Sequence, residues 1–575
     1  MKRNWIILLI WLLLACLLAG CGNTSESESN TESDSGSESV RETESESETE
    51  TESETESETK TESETESETE AETETEAETE IEEPAELWEE NGAVLRLYDK
   101  ESGSRAILYK APDESFLGEA FGVELSLDGE RWYPLDVWTA RVAVQVFSNI
   151  YDLHTTYFVN FDFEGEALLR VTPKASGEVK LRPVGKASIS KQAAEATVIR
   201  LTKFCQLSFE VGGNIYENLQ IFANPIEEID RNDPDVIYLE AGLYTADNCE
   251  LIQLVPVWSD GKTIDMPMLR VPSGKTLYLS GGAVVRAQIV VGQCEGVSVK
   301  GRGTVDILPW NRANNIRASS DEATPAGVRI ENSKNVLVEG IIVRDSMAYS
   351  IYAGNSTGVT VDNFKCIAAA QWSDGFDSMA VSDVVIKNSF FRTNDDCIAI
   401  YGSRWNNKGD SRNYEIYDCV LWADNAHAIN MANHGSNDPS DPDIIENIHF
   451  HDIDILEVHS INWTGAISVM CGGENILRNV TFERFEVEFT KSDLIRLRIT
   501  QDGGYYGRTV ENFTFRDIFF EPRNGQIAGV YLQGYNAQRK VKNIHFDNVW
   551  IGNEKIVAGS PLLHQNKYTS EITFE

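Results

Sequence analysis

The sequence predicts an all-β protein in which a right-handed parallel β-helix, residues 225–575, follows a β-sandwich domain, residues 88–224. Short segments that alternate between apolar and polar residues fill the first region. A short strand-like phrase recurs along the second region, and no helical periodicity lies between its copies. Together these two observations predict strands throughout, first in sheets and then in stacked coils.

The β-sandwich prediction depends on short strands separated by turn signals. Segments such as 141–147 and 167–171 are rich in β-branched and aromatic residues. Asp128-Gly129 and Ser176-Gly177 are typical turn dipeptides between such segments. Many short strands of this kind favour a sandwich. Nothing in this region resembles a set of catalytic residues.

The β-helix prediction depends on a three-residue phrase in which two apolar residues flank a third. Eight copies recur at steps of 23 to 34 residues, and they begin at Val336, Val359, Val384, Tyr414, Ile448, Val480, Phe513 and Ile544. Self-similarity at such a period is the signature of a solenoid. Each coil would stack on the next at the strand spacing of about 4.8 Å. One coil cannot bury its apolar side alone, so many are needed.

The first 20 residues predict a lipoprotein signal peptide. A basic start, Met1-Lys2-Arg3-Asn4, precedes an apolar run that is too short for a comfortable transmembrane helix. Leu18-Ala19-Gly20-Cys21 resembles a bacterial lipobox, which implies that Cys21 is diacylated and becomes the mature N-terminus. We therefore expect an extracellular protein that is held at the outer face of a bacterial cell membrane only through the lipid on Cys21.

Residues 21–87 predict a disordered linker of Ser, Thr and Glu. The stretch 22–86 holds 27 acidic residues against two basic ones, and it has too few apolar residues to offset chain entropy. Such a linker could carry the folded part through a cell wall. The whole chain has a net charge of −44. This charge excludes a nucleic-acid-binding protein, because neutralising phosphates requires clustered Lys and Arg.

The cysteines predict neither a disulfide framework nor a zinc site. The seven cysteines beyond the leader are scattered singly, and no CxxC pair is present. We expect no metal and no cofactor. We expect a polysaccharide substrate as the partner, and a monomer.

Four residues of the repeat region are predicted to share one face. Counted from the phrase starts, Asp374 lies at +15, Asp395 and Asp396 at +11 and +12, and His427 at +13. Similar offsets place side chains on the same face of adjacent coils, within about 5 to 10 Å. Glycosidic hydrolysis needs a protonated carboxyl to assist the leaving oxygen and an ionised one to activate water. Carboxyl separations of about 6.5 to 9.5 Å would predict inversion.

The motifs around these residues resemble glycoside hydrolase family 28, the polygalacturonases and their relatives. That family has Asn-Thr-Asp-Gly, Asp-Asp-Cys-Ile-Ala and Gly-His-Gly on successive coils. This chain has Trp372-Ser373-Asp374-Gly375, Asp395-Asp396-Cys397-Ile398-Ala399 and Ala426-His427-Ala428, and the resemblance covers about 235 to 550. It implies that Asp395 is the general acid and that Asp374 and Asp396 hold and deprotonate water. His427 would tune or orient the acid.

The substrate-binding residues depart from the family pattern. The family's Arg-Ile-Lys grips a substrate carboxylate one coil after the histidine, where this chain has Ala466-Ile467-Ser468-Val469-Met470. A similar Arg496-Leu497-Arg498 appears one coil later. The candidate substrate-binding residues are therefore Arg496 and Arg498, together with three residues expected along the same groove, Trp372, Asp377 and His459.

Several functions stay open at this point. A β-sandwich before a β-helix with three aspartates also resembles glycoside hydrolase family 49, whose members cut neutral α-glucans such as dextran. A galacturonan-like substrate is favoured over a neutral one. A polysaccharide lyase or epimerase on the same solenoid would need a Lys or Arg base and often calcium. A non-catalytic carbohydrate-binding surface protein would make the aspartate face incidental. The most specific hypothesis is an inverting, polygalacturonase-like glycoside hydrolase.

Overall fold

The computed structural model describes residues 87–89, 91–147, 150–193, 195–259, 262–307, 325–346, 348–460, 465–523 and 528–575. The predicted signal peptide, Cys21 and nearly all of the predicted linker lie outside the described residues. Within these ranges the structure has 46 β-strands and one short 3-10 helix, Glu114–Phe116. Among the described residues, no helix has both the length and the apolar character needed to cross a membrane.

Thirteen strands form the N-terminal domain. They are β1 Leu87–Glu89, β2 Val94–Tyr98, β3 Arg105–Tyr109, β4 Phe121–Ser126, β5 Tyr133–Pro134, β6 Trp138–Phe147, β7 Ile150–Glu164, β8 Ala167–Pro173, β9 Val179–Arg182, β10 Ser188–Gln192, β11 Thr197–Leu201, β12 Cys205–Val211 and β13 Asn214–Pro225.

These strands build two sheets around one apolar core. One sheet has the order β1-β2-β3-β7-β13-β12-β9 with β6 beside β7, and the other has the order β10-β11-β8-β4-β5. The alternation in β8 explains the packing, because Ala167, Leu169 and Val171 are buried in the core while Arg170 faces outward. The predicted N-terminal β domain is confirmed. Its exact limits at 88, 224 and 225 stay predictions.

The remaining strands follow in chain order. They are β14 Val236–Leu239, β15 Gly242–Tyr244, β16 Ile252–Ser259, β17 Lys262–Arg270, β18 Thr276–Leu279, β19 Ala283–Val285, β20 Gln288–Gly292, β21 Glu295–Gly301, β22 Thr304–Asp306, β23 Ala326–Glu331, β24 Lys334–Glu339, β25 Ile342–Arg344, β26 Tyr349–Gly354, β27 Thr357–Asp362, β28 Lys365–Ile367, β29 Phe376–Met379, β30 Ser382–Lys387, β31 Phe390–Thr393, β32 Ile398–Tyr401, β33 Ser411–Ala423, β34 Ile429–Met431, β35 Ile444–Val458, β36 Gly465–Cys471, β37 Ile476–Val487, β38 Asp493–Ile499, β39 Gln501–Asp502, β40 Tyr505–Tyr506, β41 Thr509–Phe520, β42 Val530–Gln533, β43 Lys540–Ile551, β44 Glu554–Lys555, β45 Leu563–Gln565 and β46 Thr569–Phe574.

Successive coils add strands to two long sheets. The nineteen-stranded sheet runs from β14 to β46, and the twelve-stranded sheet has the order β16-β17-β20-β23-β26-β29-β32-β34-β36-β38-β42-β45. From β17 onward the neighbours in the twelve-stranded sheet pair in parallel. The predicted parallel β-helix is confirmed.

The eight sequence phrases lie in register with one another. Val336 pairs with Val359, and the pairing continues coil by coil to Ile544. The two apolar residues of each phrase point into the coil, as Val480 and Phe482 do, while Thr481 between them faces outward. The recurring phrase is therefore the buried ladder of the solenoid.

The N-terminal domain packs against the side of the β-helix. Aromatic residues such as Trp138, Phe158 and Phe222 share an apolar cluster with Phe390 and Trp422 of the nineteen-stranded sheet. This apolar cluster packs on one face of the nineteen-stranded sheet. It does not include the loops that precede the strands of the twelve-stranded sheet. Those loops hold the predicted catalytic residues.

Candidate active site

The four predicted catalytic residues lie on loops before three consecutive strands of the twelve-stranded sheet. Asp374 precedes β29, Asp395 and Asp396 precede β32, and His427 precedes β34. The loops continue the ladder of the strands, because the Gly375 amide donates to the Asp396 carbonyl oxygen at 2.9 Å. The Cys397 amide likewise donates to the His427 carbonyl oxygen at 2.9 Å. This stacking brings residues 53 positions apart into one cluster.

Gly375 is required by the closeness of these loops. A Cβ atom at this position would lie 2.3 Å from the Cys397 carbonyl oxygen and 2.5 Å from the Phe391 ring. Any side chain would therefore separate the two loops that hold the aspartates. The glycine that follows Asp374 in the motif is thus explained by backbone packing.

The three carboxylates lie close to one another. One oxygen each of Asp374, Asp395 and Asp396 lies within 4.8 Å of the other two. The Asp396 amide donates to Asp374 Oδ1 and to Asp395 Oδ1, at 3.1 Å in each case. These are the nearest oxygens of the three carboxylates, so they do not test the separation of about 6.5 to 9.5 Å between carboxyl groups that predicts inversion. Three oxygens this close could also hold a hard cation.

Asp396 is the most strongly hydrogen-bonded of the three carboxylates. His427 Nδ1 lies 2.5 Å from its Oδ1, and Asn430 Nδ2 donates to its Oδ2 at 2.7 Å. Burial raises the pKa of Asp396, but the charge and hydrogen bonds of His427 and the hydrogen bond of Asn430 outweigh it and hold that pKa below its usual value. The imidazole of His427 thus contacts Asp396, whereas the resemblance implied a role toward Asp395.

Asp395 and Asp374 have the opposite shift. Burial, followed by the charge of Asp396, raises the pKa of Asp395 to about 7. Burial and the neighbouring charges of Asp377 and Asp395 raise the pKa of Asp374 well above its usual value. The cluster therefore combines one carboxylate that stays ionised with two carboxyls that hold protons more readily.

Asp377 does not line the groove, contrary to expectation. It is fully buried below the cluster, with a carboxylate oxygen 3.7 Å from Arg404 Nη1. Burial raises its pKa well above the usual value, although Arg404 opposes this effect. Asp377 therefore lies in the buried surroundings of the cluster, next to Arg404, and not on the pocket wall.

The cluster opens into a pocket of about 440 Å³. Its lining residues include the four predicted catalytic residues and Trp372, Tyr349, Tyr401, Arg404, Trp405, Asn430, Asn433, His434 and Met470. Trp372 is 41% exposed there, as a side chain that stacks on a sugar ring would be. Arg404 was missed at the level of sequence, and its guanidinium lies 4.2 Å from the centre of the Trp405 ring. In the sequence, the only indication that Arg404 belongs to the site was its position just after the segment that forms β32.

Arg496 and Arg498 lie on β38, two strands beyond the strand that follows His427. Arg496 donates to Asp493 and stacks on Tyr531 at 4.6 Å. Arg498 is paired in register with Met470, a residue of the pocket, and its Nη2 lies 2.9 Å from the Met470 sulfur. Its buried Nε has no hydrogen-bond partner among the described residues. Arg498 thus borders the pocket from the coil that follows Met470.

His459 lies away from the pocket, contrary to expectation. It is 6% exposed, and its Nε2 lies 2.9 Å from Glu457 Oε2. Its ring packs against Phe489 and against Tyr216 of the N-terminal domain. It is therefore part of the contact between the two domains.

Known proteins resemble this chain in sequence and in fold. Residues 279–549 match the model of Glycosyl hydrolases family 28. Probable exopolygalacturonase B of Aspergillus fumigatus is 24% identical over 250 residues, which are 40% of this chain and 51% of that protein. Exopolygalacturonase of Cochliobolus carbonum is 26% identical over 220 residues, 35% of this chain and 46% of that protein. The chain spans about half the length of these curated relatives.

A solved structure shares the fold over most of the chain. Dex49A from Penicillium minioluteum matches with a TM-score of 0.54 and 15% identity, and the match covers 81% of this chain and 96% of that one. At this identity the likeness concerns the fold alone. The family-model match, in contrast, spans all four motif residues from Asp374 to His427. The coils that carry the acidic cluster are therefore similar to Glycosyl hydrolases family 28, as their motifs predict.

Proposed function

We propose that this protein is a glycoside hydrolase that cleaves a pectic, galacturonan-type polysaccharide. The observation that carries the proposal is the convergence of Asp374, Asp395 and Asp396 in one pocket with pKa values shifted in opposite directions. Hydrolysis needs such a pair, one carboxyl to give a proton and one carboxylate to take a proton.

The proposed reaction gives each group of the cluster one task. Asp395, with a pKa of about 7, donates its proton to the glycosidic oxygen as the bond from that oxygen to the anomeric carbon breaks. Asp396, which stays ionised, takes a proton from a water molecule whose oxygen forms the new bond to the anomeric carbon. Asp374 holds that water. Attack from the face opposite to the leaving group inverts the anomeric centre.

Cationic and aromatic residues support an anionic sugar as the substrate. Arg404 lines the pocket, and Arg498 borders it through its contact with Met470. A planar guanidinium pairs well with a carboxylate such as that of galacturonate. Trp372, which is exposed in the pocket, offers a face for a sugar ring. The names of the fungal relatives point to the same polysaccharide class.

Incubating the purified protein with polygalacturonate and with dextran, and counting new reducing ends, tests the proposal. We expect reducing ends from polygalacturonate only, with NMR showing an inverted anomer. The variant Asp395→Asn keeps the shape of the side chain, and its kcat should be about 100- to 10,000-fold lower than that of the wild type.

Other results would assign other functions. Cleavage of dextran alone would indicate a neutral α-glucan hydrolase. New ultraviolet absorbance from unsaturated ends would indicate a lyase. Binding without any cleavage would indicate a carbohydrate-binding surface protein, and an unimpaired Asp395→Asn variant would reject the assignment of the acid.

We further propose that the enzyme works outside the cell, as a monomer, on a lipid anchor at Cys21. The support is the lipobox-like Leu18-Ala19-Gly20-Cys21 and the acidic linker that follows it. Cys21→Ala is expected to move activity from the membrane fraction to the medium or to leave an uncleaved precursor. Membrane retention of a correctly cleaved Cys21→Ala protein would refute the anchor.

A further inference from the structure

A second cluster of chemically reactive side chains lies on the outer face of the nineteen-stranded sheet. Glu415 is on β33, and His449 and His451 are on the neighbouring strand β35. Glu415 pairs in register with His449, and residues two apart on a strand point to the same face. All three side chains therefore project from the same surface, on a different sheet from the one that positions the catalytic aspartates.

The donor atoms of this cluster converge on one oxygen. Glu415 Oε1 lies 3.1 Å from His449 Nδ1 and 3.0 Å from His451 Nε2. The side chains of Glu415, His449 and His451 are 46%, 35% and 17% exposed. Solutes therefore reach the cluster directly from solvent.

His451 lies between the carboxylates of Asp452 and Glu415, and Arg484 Nη2 also lies 3.2 Å from its Nδ1. Its Nδ1 lies 2.6 Å from Asp452 Oδ2, a contact that requires a proton between the two atoms. A neutral imidazole has only one N–H, so Nε2 then presents a lone pair to Glu415 Oε1. Two acceptors at 3.0 Å repel each other unless a cation or a second proton lies between them.

The carboxylate of Asp452 behind His451 matches the surroundings of metal-binding histidines. Such histidines usually donate their other ring N–H to a carboxylate, which fixes the tautomer and the ring orientation. Asp452 takes this position at His451 and is itself held by Arg484 at 2.7 Å. Glu483 Oε2 lies 3.6 Å from the far nitrogen of His449. That distance is beyond hydrogen-bond reach, and the far nitrogen of His449 has no hydrogen-bond partner among the described residues. His449 Nδ1 and His451 Nε2 both face Glu415 Oε1.

We propose that Glu415, His449 and His451 bind a divalent transition-metal ion, Zn²⁺ in the first place. Zinc bonds of about 2.0 to 2.2 Å put neighbouring tetrahedral ligands roughly 3.4 Å apart, close to the spacing found here. Two imidazoles and one carboxylate leave a fourth position for water. The ion would join β33 to β35 and so link two consecutive coils of the solenoid.

Titrating the purified, metal-free full chain with Zn²⁺, and separately with Co²⁺, tests the proposal. We expect calorimetry to show a bound equivalent, and Co²⁺ to give the intense visible bands of a tetrahedral site with nitrogen ligands. His449→Ala and His451→Ala should each remove those bands. Asp452→Asn, which leaves all three ligands in place, should weaken the affinity by about 10- to 100-fold.

Two control variants locate the ion. His545→Ala removes a histidine from the same column of the same sheet face, three coils further on, and should leave the Co²⁺ bands unchanged. Asp374→Asn, at the pocket, should also leave them unchanged. Absence of binding in the wild-type chain would overturn the proposal. Tetrahedral bands that survive both His449→Ala and His451→Ala would overturn it as well.

Discussion

At the scale of single residues, two adjacent aspartates in the chain differ because their partners differ. Asp395 has burial and the charge of Asp396 acting on it, and both raise its pKa. Asp396 is as deeply buried, but His427 and Asn430 hold it as the anion. One backbone step therefore separates the proposed proton donor from the proposed proton acceptor.

This difference predicts how activity depends on pH. The donor Asp395 must be protonated, so kcat/KM should fall as the pH rises through about 7, the pKa of its carboxyl. The acceptor Asp396 must be ionised, and its lowered pKa places the acidic limb below the usual range of aspartate. A profile of kcat/KM on polygalacturonate from acidic to alkaline pH measures both limbs. Constant activity well above neutral pH would contradict the assignment of Asp395.

Replacing His427 should move the acidic limb. His427→Ala removes the charge and the hydrogen bond that lower the pKa of Asp396, so that pKa should rise. Activity would then begin at a higher pH than in the wild type, in addition to any loss at the optimum. Asn433→Ala, at the pocket but with no hydrogen bond to Asp396 among the described residues, is the matched control. An acidic limb that stays in place in His427→Ala would show that the imidazole does not tune Asp396.

At the scale of elements, one polar column fixes the turns of the later coils. Asn413, Asn447, Asn479, Asn512 and Asn543 all have positive φ, and each side-chain amide donates to the residue one coil before it. Asparagine tolerates this backbone region better than other non-glycine residues do. The column therefore marks where each coil begins, next to the first apolar residue of each phrase.

Removing one member of this column should destabilise the stack in two separable ways. Asn479→Ala loses hydrogen bonds of 3.1 and 3.0 Å to Asn447 and Asn512. It also places alanine, whose side chain can form no hydrogen bond, at a backbone φ of 57°. We expect a loss of about 2 kcal/mol from both effects. Asn479→Gly loses only the hydrogen bonds and should cost about 1 kcal/mol less. Denaturation midpoints that are equal for the two variants would show that backbone strain has no part.

The phrases and the aspartate motifs could be predicted because both are local patterns with a regular spacing. The surroundings of Asp377 and His459 could not, because segments distant in the chain cover them. Arg404, from the coil after Asp377, reaches its carboxylate, and Tyr216 of the N-terminal domain packs on His459.

At the scale of the whole molecule, three buried arginines cross between the two domains. Arg182 of β9 donates to the Leu456 carbonyl oxygen at 3.1 Å, and Arg392 of β31 donates to the Ile215 carbonyl oxygen at 3.0 Å. Arg302, after β21, donates to Asp162 of β7 at 2.8 Å. All three side chains are at most 1% exposed. Because each charge depends on a partner in the other domain, we expect the two domains to unfold together.

Arg302→Met tests this coupling. Nε of Arg302 pairs with Asp162, Nη1 with Glu227 at 2.9 Å, and Nη2 donates to the Pro225 carbonyl oxygen at 2.8 Å. Methionine fills similar space but leaves Asp162 buried without its partner, at a cost on the order of 3 to 5 kcal/mol. Thermal unfolding followed by tryptophan fluorescence should therefore show one transition at a clearly lower midpoint. Adding Asp162→Asn to Arg302→Met should recover part of the loss, because the unpaired charge is gone.

Arg105→Met, which removes an exposed partner of Glu164, should change the midpoint little. Two separate transitions in the wild-type chain, or an unchanged midpoint in Arg302→Met, would show that the domains are stable independently.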